Sequence, residues 1–256
     1  MLKLCNVSAG YDKKQILHGI NLEIPTGKIT TIIGNNGCGK STLLKSIVGF
    51  LPLLDGDILI NGTSSNELSQ SELAKQIAYL PQSKNVPDIT VERLVLHGRF
   101  PYLHYPRRYR NKDYKLAQEA MEQMGIAHLA ERPLAELSGG MRQKTYIAMA
   151  LTQQAPLIVM DEPTTYLDIA QQLKFAKIVK QLSARGKTLI LVLHDILMAL
   201  KLSDQITVMK DGKIVRCGKP DEILESGIIE EIYGVKVQKV DTQNGLQYFL
   251  DLPQMR

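Results

Sequence analysis

The stretch IIGNNGCGKSTLL, from Ile32 to Leu44, places three glycines, a lysine and two hydroxyl side chains between two apolar runs. Glycine adopts backbone conformations that a Cβ would penalise, so consecutive N–H groups can point into one concavity that suits an anion. KITTII before the loop has the composition of a buried strand, and STLLKSIVG within and after it predicts a helix. A glycine-rich turn from a strand into a helix N-terminus adds the positive end of the helix dipole. The sequence therefore predicts a cradle for the phosphates of a nucleoside triphosphate.

Two side chains of this loop have specific predicted roles. Lys40 supplies a full positive charge for the β- and γ-phosphates, and the Ser41 hydroxyl can bind Mg²⁺. The alternative is a chance Lys-Ser in a glycine-rich loop, but the flanking strand and helix favour the phosphate site. The residues that we expect to contact the nucleotide here are Asn35, Asn36, Gly37, Cys38, Gly39, Lys40, Ser41 and Thr42.

The composition is that of an ordinary globular protein, with 44% hydrophobic and 22% charged residues in 256. No apolar run approaches the ~18 residues needed to cross a bilayer, and the N-terminus has no signal-peptide pattern, so we expect any membrane function to need a separate spanning chain. Cys5, Cys38 and Cys217 are widely spaced, which argues against a disulfide framework and fits a reducing cytosol. The net charge of +5 permits an anionic partner without requiring one.

The pattern along the chain predicts an α/β protein. Alternating polar and apolar residues at the N-terminus predict antiparallel strands, and the apolar runs LIVM and LILVL, with a helical stretch from Ala170 to Ser183 between them, predict buried parallel strands. The pattern from Val91 to Leu134 is helical, except for the aromatic and basic piece GRFPYLHYPRRYR. In the C-terminal tail from Pro220, the stretch PDEILESGIIEEIYG predicts one helical piece, and a weak hairpin follows.

A second chemical feature is APLIVMDEP, an apolar strand that ends in Asp161 and Glu162. The carboxyl end of a parallel strand lies at the same sheet edge as the phosphate loop. We expect Asp161 to hold the Mg²⁺ shell and Glu162 to polarise a water aimed at the γ-phosphate. The alternative is an ordinary acidic cap between a strand and a loop.

A third feature is LSGGMRQ, in which Ser138, Gly139 and Gly140 open the helix MRQKTYIAMAL. A hydroxyl and bare backbone N–H groups at a helix N-terminus form a second candidate anion site. On this local pattern alone, an ordinary serine N-cap followed by turn glycines would explain the stretch equally well.

The ordered set GNNGCGKST, LPQ, LSGG, LIVMDEP, YLD and LVLHD, with Tyr11 before it, resembles the ATPase domain of the ATP-binding cassette family. The resemblance implies a P-loop core with a mainly parallel sheet, an antiparallel β subdomain and an inserted α-helical subdomain. It also implies a head-to-tail dimer with two ATP molecules at its interface, each held by the phosphate loop of one subunit and the LSGG of the other. The expected parts are a core over 1–82 and 156–220, a helical subdomain over 83–155 and a C-terminal extension over 221–256.

The same resemblance implies further site residues. Tyr11 would stack on the adenine, Gln82 would contact Mg²⁺ or the attacking water, and His194 would contact the γ-phosphate and orient that water. Four residues would act across the dimer: Ser138, Gly139, Gly140 and Asp168. The chain departs from the family in two places: Asn35 stands where close relatives mostly have proline, which should loosen the loop slightly, and Met141 replaces the glutamine usual after LSGG.

VERLVLHGRFPY, DEPTTYLDI and GKPDEIL followed by YGV resemble the ATPase subunits of importers for iron chelates, haem and cobalamin. This implies permease subunits as partners, a periplasmic or extracellular substrate-binding protein acting through the permease, and a place on the cytoplasmic face of the membrane. It implies no nucleic acid. We expect the segment from His97 to Lys115 to shape the surface that receives the permease.

The alternative function is a soluble cassette ATPase that acts on nucleic acid or the ribosome. A cluster of basic and aromatic residues favours it, because such mixtures suit RNA: Arg99, Arg107, Arg108, Arg110, Lys112, Tyr102, Tyr105, Tyr109 and Tyr114. Its relatives usually carry two cassettes, however, whereas this chain has one. A non-catalytic scaffold would be expected to lack Glu162 or His194, and both are present.

Overall fold

The computed structural model describes residues 2–12, 14–82, 86–165, 167–243 and 245–251. The strands are β1 (Leu2–Tyr11), β2 (Lys14–Ile24), β3 (Ile29–Gly34), β4 (Leu53–Ile60), β5 (Thr63–Ser64), β6 (Ile77–Leu80), β7 (Leu157–Asp161), β8 (Thr188–Val192), β9 (Gln205–Lys210), β10 (Lys213–Gly218), β11 (Lys236–Thr242) and β12 (Gly245–Asp251). The helices are α1 (Lys40–Ile47), α2 (Gln70–Gln76), α3 (Val91–His97), α4 (Asn111–Gln123), α5 (Gly139–Thr152), α6 (Ile169–Ala184), α7 (Ile196–Leu202), α8 (Pro220–Glu225) and α9 (Ile228–Tyr233). Among the helices of these residues, none has the length and apolar character that crossing a membrane requires.

The central sheet has the strand order β10-β9-β3-β8-β7-β6, and all its pairs are parallel except β10 with β9. Every residue of β3, β7 and β8 is buried, which explains their continuous apolar sequences. Since parallel strands share one carboxyl edge, the ends of β3, β7 and β8 bring the phosphate loop, Asp161 and His194 to one side of the sheet. The predicted parallel core is confirmed.

The first strands form a separate antiparallel sheet in the order β2-β1-β4-β5. The turn from β4 to β5 uses Asn61 (φ 52°) and Gly62 (φ 87°), as expected for a tight hairpin turn that needs two positive φ angles. This sheet and α1 share an apolar core that includes Leu4, Leu17 and Leu43. The predicted antiparallel β subdomain is confirmed.

The helical subdomain contains α3, α4 and α5, which pack through residues such as Val95, Met121 and Ile147. Between α3 and α4 the chain is irregular apart from a short 3₁₀ turn at Phe100–Tyr102, as predicted for the piece with Pro101 and Pro106. The predicted boundaries of the subdomains stay predictions. Their start at 83 and the final residues of the extension lie outside the described residues.

The C-terminal segment departs from the prediction of one helical piece. Gly227 adopts φ 72° and separates α8 from α9, because a left-handed residue cannot continue an α-helix. The predicted hairpin is present as β11 paired with β12. Ile223 and Ile229 anchor the two short helices in the main core, so this segment packs on the central sheet.

Candidate functional site

The phosphate loop connects the end of β3 at Gly34 to the start of α1 at Lys40. Two of its glycines are required by the backbone. A Cβ on Gly34 would lie 2.2 Å from the Met209 carbonyl oxygen, and Gly39 has φ 102°. Gly37, at φ 80°, has no atom within 4 Å of where a Cβ would be, so the loop is open at this point. The structure therefore shows a tight strand-to-helix turn with an open centre.

Lys40 is buried, with 6% of its surface exposed. Its Nζ donates hydrogen bonds to the backbone carbonyl oxygens of Gly34 (2.7 Å) and Asn35 (3.0 Å). These bonds hold the ammonium group inside the loop, where an anion bound by the loop N–H groups would meet it.

Ser41 and Asp161 come together although they are 120 residues apart in the chain. The Ser41 hydroxyl donates to Oδ1 of Asp161 at 3.2 Å, and the Tyr79 hydroxyl donates to Oδ2 at 3.5 Å. Burial raises the pKa of Asp161 above its ordinary value, because the hydroxyl hydrogen bonds only partly offset the loss of solvation. Among the described residues, this carboxylate has no salt-bridge partner. A buried carboxylate beside a hydroxyl is a donor set that fits Mg²⁺, whose remaining ligands are usually water and substrate phosphates.

Glu162 has a left-handed backbone, with φ 49°, which is uncommon for a residue with a long side chain. Its carboxylate is the centre of a small cluster. One oxygen lies 2.6 Å from Nε2 of His194, and the other accepts hydrogen bonds from Gln82 Nε2 and from the Thr165 hydroxyl (3.2 Å). The structure thus brings together three residues that the sequence assigned to hydrolysis, from the ends of β6, β7 and β8.

The LSGG residues lie at the start of α5, where the Ser138 hydroxyl accepts a hydrogen bond from the Met141 N–H at 3.4 Å. A Cβ on Gly140 would come within 2.6 Å of the Gln171 side chain, so this glycine permits close packing against α6. Asp168 caps α6 by accepting from the Gln171 N–H at 2.8 Å. The residues expected to act across a dimer therefore lie next to each other.

A cavity of about 640 Å³ joins these features. Its lining includes Gln82, Asp161 and Glu162, together with Gly139 and Arg142 from the start of α5. The residues that line it do not include the phosphate loop, Gly34 to Thr42, in the described part of the chain. Asp161 connects the two sites, since it contacts both this cavity and Ser41.

Tyr11 ends β1 and is 42% exposed. Lys45 of α1 donates a hydrogen bond to its hydroxyl at 3.4 Å, and the Lys45 ammonium lies 5.7 Å from the centre of its ring. An exposed aromatic ring near the helix that follows the phosphate loop is suited to stacking on a nucleotide base.

Cys38 lies close to the N-terminus of α1, a position expected to lower the pKa of a thiol, but the structure shows the opposite. Cys38 is 6% exposed, and burial raises the pKa of its thiol more than the nearby Lys40 lowers it. The thiol is therefore protonated at neutral pH and almost fully buried, which makes it unreactive.

Three side chains of the site were not predicted from the sequence. They are Tyr79, Thr165 and Lys45, which form hydrogen bonds with Asp161, Glu162 and Tyr11, respectively. Thr165 could have been found, because it lies three residues after Glu162 and a Thr hydroxyl can turn back on such a neighbour. Tyr79 and Lys45 gave no local signal, since their contacts depend on which strands and helices become neighbours.

The basic and aromatic cluster is partly structural. Arg99 is 4% exposed and pairs with Asp113 at 2.9 Å, and its Nη1 donates to the Thr152 carbonyl at 3.0 Å. The Tyr102 hydroxyl donates to the Gln153 carbonyl at 3.0 Å, and the Arg99 guanidinium lies 3.9 Å from its ring. These groups are not free to bind RNA, which weakens the nucleic-acid alternative.

Comparisons with known proteins agree with this geometry. Residues 17–165 match the family model described as ABC transporter. The chain is 38% identical over 233 residues to the iron(3+)-hydroxamate import ATP-binding protein FhuC of Bacillus subtilis (strain 168), covering 90% of this chain and 87% of that protein. It is 38% identical over 237 residues to the ferric enterobactin transport ATP-binding protein FepC of Escherichia coli (strain K12), covering 92% and 88%. The dimeric structure of a post-hydrolysis state of the ATP-binding cassette MJ0796, bound to ADP and Pi, is 30% identical with a TM-score of 0.75, covering 86% of this chain and 99% of that chain.

The family match covers more than half of the 256 residues, and the relatives align with nearly the whole chain. The matched range contains the phosphate loop, the LSGG residues and the Asp161–Glu162 pair described above. This chain belongs to the ABC transporter family and is one of its ATP-binding ATPase domains.

Proposed function

We propose that this chain binds and hydrolyses ATP to power an importer of iron chelates, with haem and cobalamin as related cargo. Both relatives reported above are named for iron-chelate uptake, one for a hydroxamate and one for enterobactin. Because their chelates differ chemically, the likeness supports the class of cargo and no single compound. The cluster of Gln82, His194 and Thr165 around Glu162 is the observation that carries the hydrolytic part.

The nucleotide would be held by the phosphate loop from Asn35 to Thr42, with Lys40 facing the β- and γ-phosphates and Tyr11 against the adenine. Ser41, Asp161 and Gln82 would hold Mg²⁺. When bound there, the ion would neutralise charge on the β- and γ-phosphate oxygens. The buried position of Lys40 supports its role, since a charge shielded from water interacts more strongly with phosphate.

Hydrolysis would use Glu162 as the general base for the attacking water. Its two oxygens have different partners, so the carboxylate is fixed in orientation before a substrate arrives. His194 is 45% exposed at its side chain, so its ring can contact both Glu162 and a γ-phosphate. Gln82 would report on the occupancy of this site, because its amide already binds Glu162.

Two copies of the chain would form a head-to-tail dimer around two ATP molecules. Ser138, Gly139, Gly140 and Asp168 would then contact the nucleotide or the phosphate loop of the other copy. Their clustering on one surface, with Gly140 against Gln171, supports a shared role. ATP would close the dimer only if it binds the closed state more tightly than the open one.

The permease would dock on the segment from His97 to Lys115, on the cytoplasmic face of the membrane. Ser71 of α2 donates a hydrogen bond to the Pro101 carbonyl at 2.9 Å, and α2 leads directly into β6 and Gln82. A movement at Gln82 therefore has a short route to this surface. A periplasmic or extracellular binding protein would act from the other side of the permease.

ATP hydrolysis by the reconstituted transporter is the direct test. The chain would be assembled with its permease in vesicles, and ATPase activity would be measured with binding protein loaded with ferric hydroxamates, ferric catecholates, haem or a corrinoid. We expect stimulation by one iron chelate class, and little by the others. Activity that RNA stimulates and no cargo affects would contradict the proposal. Glu162→Gln in the same vesicles is the control for contaminating ATPases.

A further inference from the structure

The phosphate loop touches the C-terminal segment of the chain. Nδ2 of Asn35 donates a hydrogen bond to the backbone carbonyl of Ile232, at 3.2 Å. Carbonyl groups in the last turn of a helix have no partner within that helix, and Ile232 lies in the last turn of α9. The Asn35 amide supplies the missing donor. A proline at position 35 has no side-chain donor and could not do so.

A second contact lies beside the first. The phenol of Tyr233 lies beside the backbone N–H of Gly34, which only partly offsets the burial that raises the pKa of Tyr233 to about 12. The phenol is therefore neutral at physiological pH. Gly34 and Asn35 are also the two residues whose carbonyl oxygens bind Lys40, at 2.7 and 3.0 Å. The end of α9 and the Lys40 ammonium therefore lie next to the same two residues of the loop.

Helix α9 is itself fixed in place. Glu231 pairs with Lys210 at the end of β9, at 2.9 Å, and Ile229 is 3% exposed. The turn after β9 also reaches the phosphate loop, where the Gly212 N–H donates to the Cys38 carbonyl at 3.1 Å. A shift of α9 would therefore move Gly34 and Asn35, and through them the Lys40 ammonium.

We propose that Asn35 and Tyr233 are positioning residues that brace the phosphate loop against α9, so that the C-terminal segment sets the affinity for MgATP. The inference rests on the proposed function, because it presupposes that ATP binds at Lys40. The bracing acts on the ground-state binding of the phosphates and not on Glu162, which lies at the end of a different strand. The coupling is reciprocal, so bound ATP must in turn stabilise α9 in its docked position.

The test uses the whole 256-residue chain with Tyr233→Phe, Asn35→Ala and both together. Tyr233→Phe removes one hydroxyl, and Asn35→Ala removes the side-chain amide while keeping the backbone carbonyl that binds Lys40. Lys239→Gln is the matched control: it breaks the exposed pair with Asp221 at 2.7 Å in the same C-terminal segment, away from the loop. The measurements are binding of a fluorescent ATP analogue with Mg²⁺, KM and kcat for ATP, and hydrogen exchange of the amides of residues 228–234.

Each single variant should bind MgATP about threefold more weakly and the double variant about tenfold, the size expected for losing one and two polar contacts of about hydrogen-bond strength. We expect kcat to stay within about twofold, since the hydrolytic cluster is unchanged. ATP should slow the exchange of residues 228–234 in the wild type and in Lys239→Gln, and should have no such effect in the double variant.

Unchanged affinity with undiminished ATP-dependent protection in the double variant would overturn the inference. A general loss of thermal stability in which kcat falls as much as KM rises would also overturn it, because that is the result of a merely structural contact. Failure of the wild-type chain to bind ATP at all would instead refute the proposed function.

Discussion

Two segments of this molecule each contain a buried cationic side chain, Lys40 in one and Arg99 in the other, and the two side chains have different kinds of partner. In the phosphate loop, Lys40 binds the backbone carbonyls of Gly34 and Asn35, which are six and five residues away. In the segment from Gly98 to Arg110, Arg99 binds Asp113 and the Thr152 carbonyl, which are 14 and 53 residues away. The first cation is held by its own loop, and the second joins three separate parts of the helical subdomain.

The charge of the partners indicates which role each cation is suited to. Neutral carbonyl groups leave the Lys40 charge uncompensated, so it can still attract an anion. The Asp113 carboxylate neutralises Arg99, so that cation fixes the architecture of the segment proposed to receive the permease, while the Arg107, Arg108 and Arg110 side chains are exposed. We therefore expect changes at the first cation to affect ligand binding and changes at the second to affect stability and assembly.

The largest effect should come from Glu162→Gln. We expect hydrolysis to fall by about 10²- to 10⁴-fold while MgATP still binds, because the variant loses the general base and keeps the phosphate loop. Steady-state phosphate release and analogue binding measure the two effects. Glu131→Gln, an exposed change in the helical subdomain, is the control. Undiminished hydrolysis by Glu162→Gln would remove this residue from the mechanism.

Arg99→Met should destabilise the fold, with a free energy of unfolding lower by about 3–5 kcal/mol, since it leaves the Asp113 carboxylate buried without its partner. Urea unfolding would measure this loss of stability. The control is Arg107→Gln, which changes an exposed arginine of the same segment and should leave the free energy of unfolding almost unchanged. A stable Arg99→Met protein that fails to hydrolyse ATP would break the comparison, because Arg99 would then serve the nucleotide site.

The same pair predicts a pH dependence. Burial would raise the pKa of Asp113, but hydrogen bonds from Arg110 and Arg99 outweigh it and leave the pKa below its ordinary value. Its stabilising contribution is therefore complete above the ordinary aspartate pKa and is lost as the pH falls through the lower, folded-state value. Unfolding curves of Asp113→Asn should lack this acid-dependent part of the wild-type profile.

Lys40→Ala should weaken MgATP binding by roughly 10- to 100-fold, the range for a hydrogen bond to a charged group. We expect a loss of folding stability of about 1 kcal/mol, smaller than for Arg99→Met, because both partners are neutral carbonyls and Asn35 is exposed to water. Analogue binding and thermal unfolding on the same samples would separate the two effects. If Lys40→Ala lowered the free energy of unfolding as much as Arg99→Met, both cations would have a structural role and the comparison would be wrong.

Replacing Arg107, Arg108 and Arg110 together by Gln should leave basal hydrolysis near normal and weaken assembly with the permease by at least about fivefold, because each rim charge contributes up to ~1 kcal/mol. Co-purification with the permease and basal ATPase activity are the measurements. RNA retention should be absent in both proteins. If the wild-type protein retains RNA and the variant does not, the result would favour the alternative function on nucleic acid over the importer.

The smallest effect concerns Cys38. A thiol-directed reagent should modify exposed Cys217 first and Cys38 slowly, and the Cys38 rate should still be rising at alkaline pH, since its pKa is raised. Mass spectrometry of the labelled peptides, with Cys38→Ser as control, measures this. Rapid, MgATP-sensitive labelling of Cys38 at neutral pH would show that the phosphate loop opens more than its contacts suggest.

The phosphate loop could be predicted from the sequence because its glycines, Lys40 and Ser41 act within one short turn. Asp161 and Glu162 could be predicted because their apolar strand follows a phosphate loop in the same chain, and the carboxyl ends of parallel strands meet at one sheet edge. Arg99 and Tyr79 could not, since their partners are brought near only by the order of strands and the packing of helices. The division of the C-terminal helix at Gly227 was missed because a single glycine in a helical pattern is often tolerated.

The left-handed backbone of Glu162 has a consequence for attempts to make this protein more heat-resistant. Holding such a residue at φ 49° costs about 1–3 kcal/mol, and glycine or asparagine would relieve much of it. A library screened only for survival at high temperature should therefore collect Glu162→Gly and Glu162→Asn. These variants would be thermally more stable but inactive, so directed evolution of this chain needs a selection for ATP hydrolysis at every round.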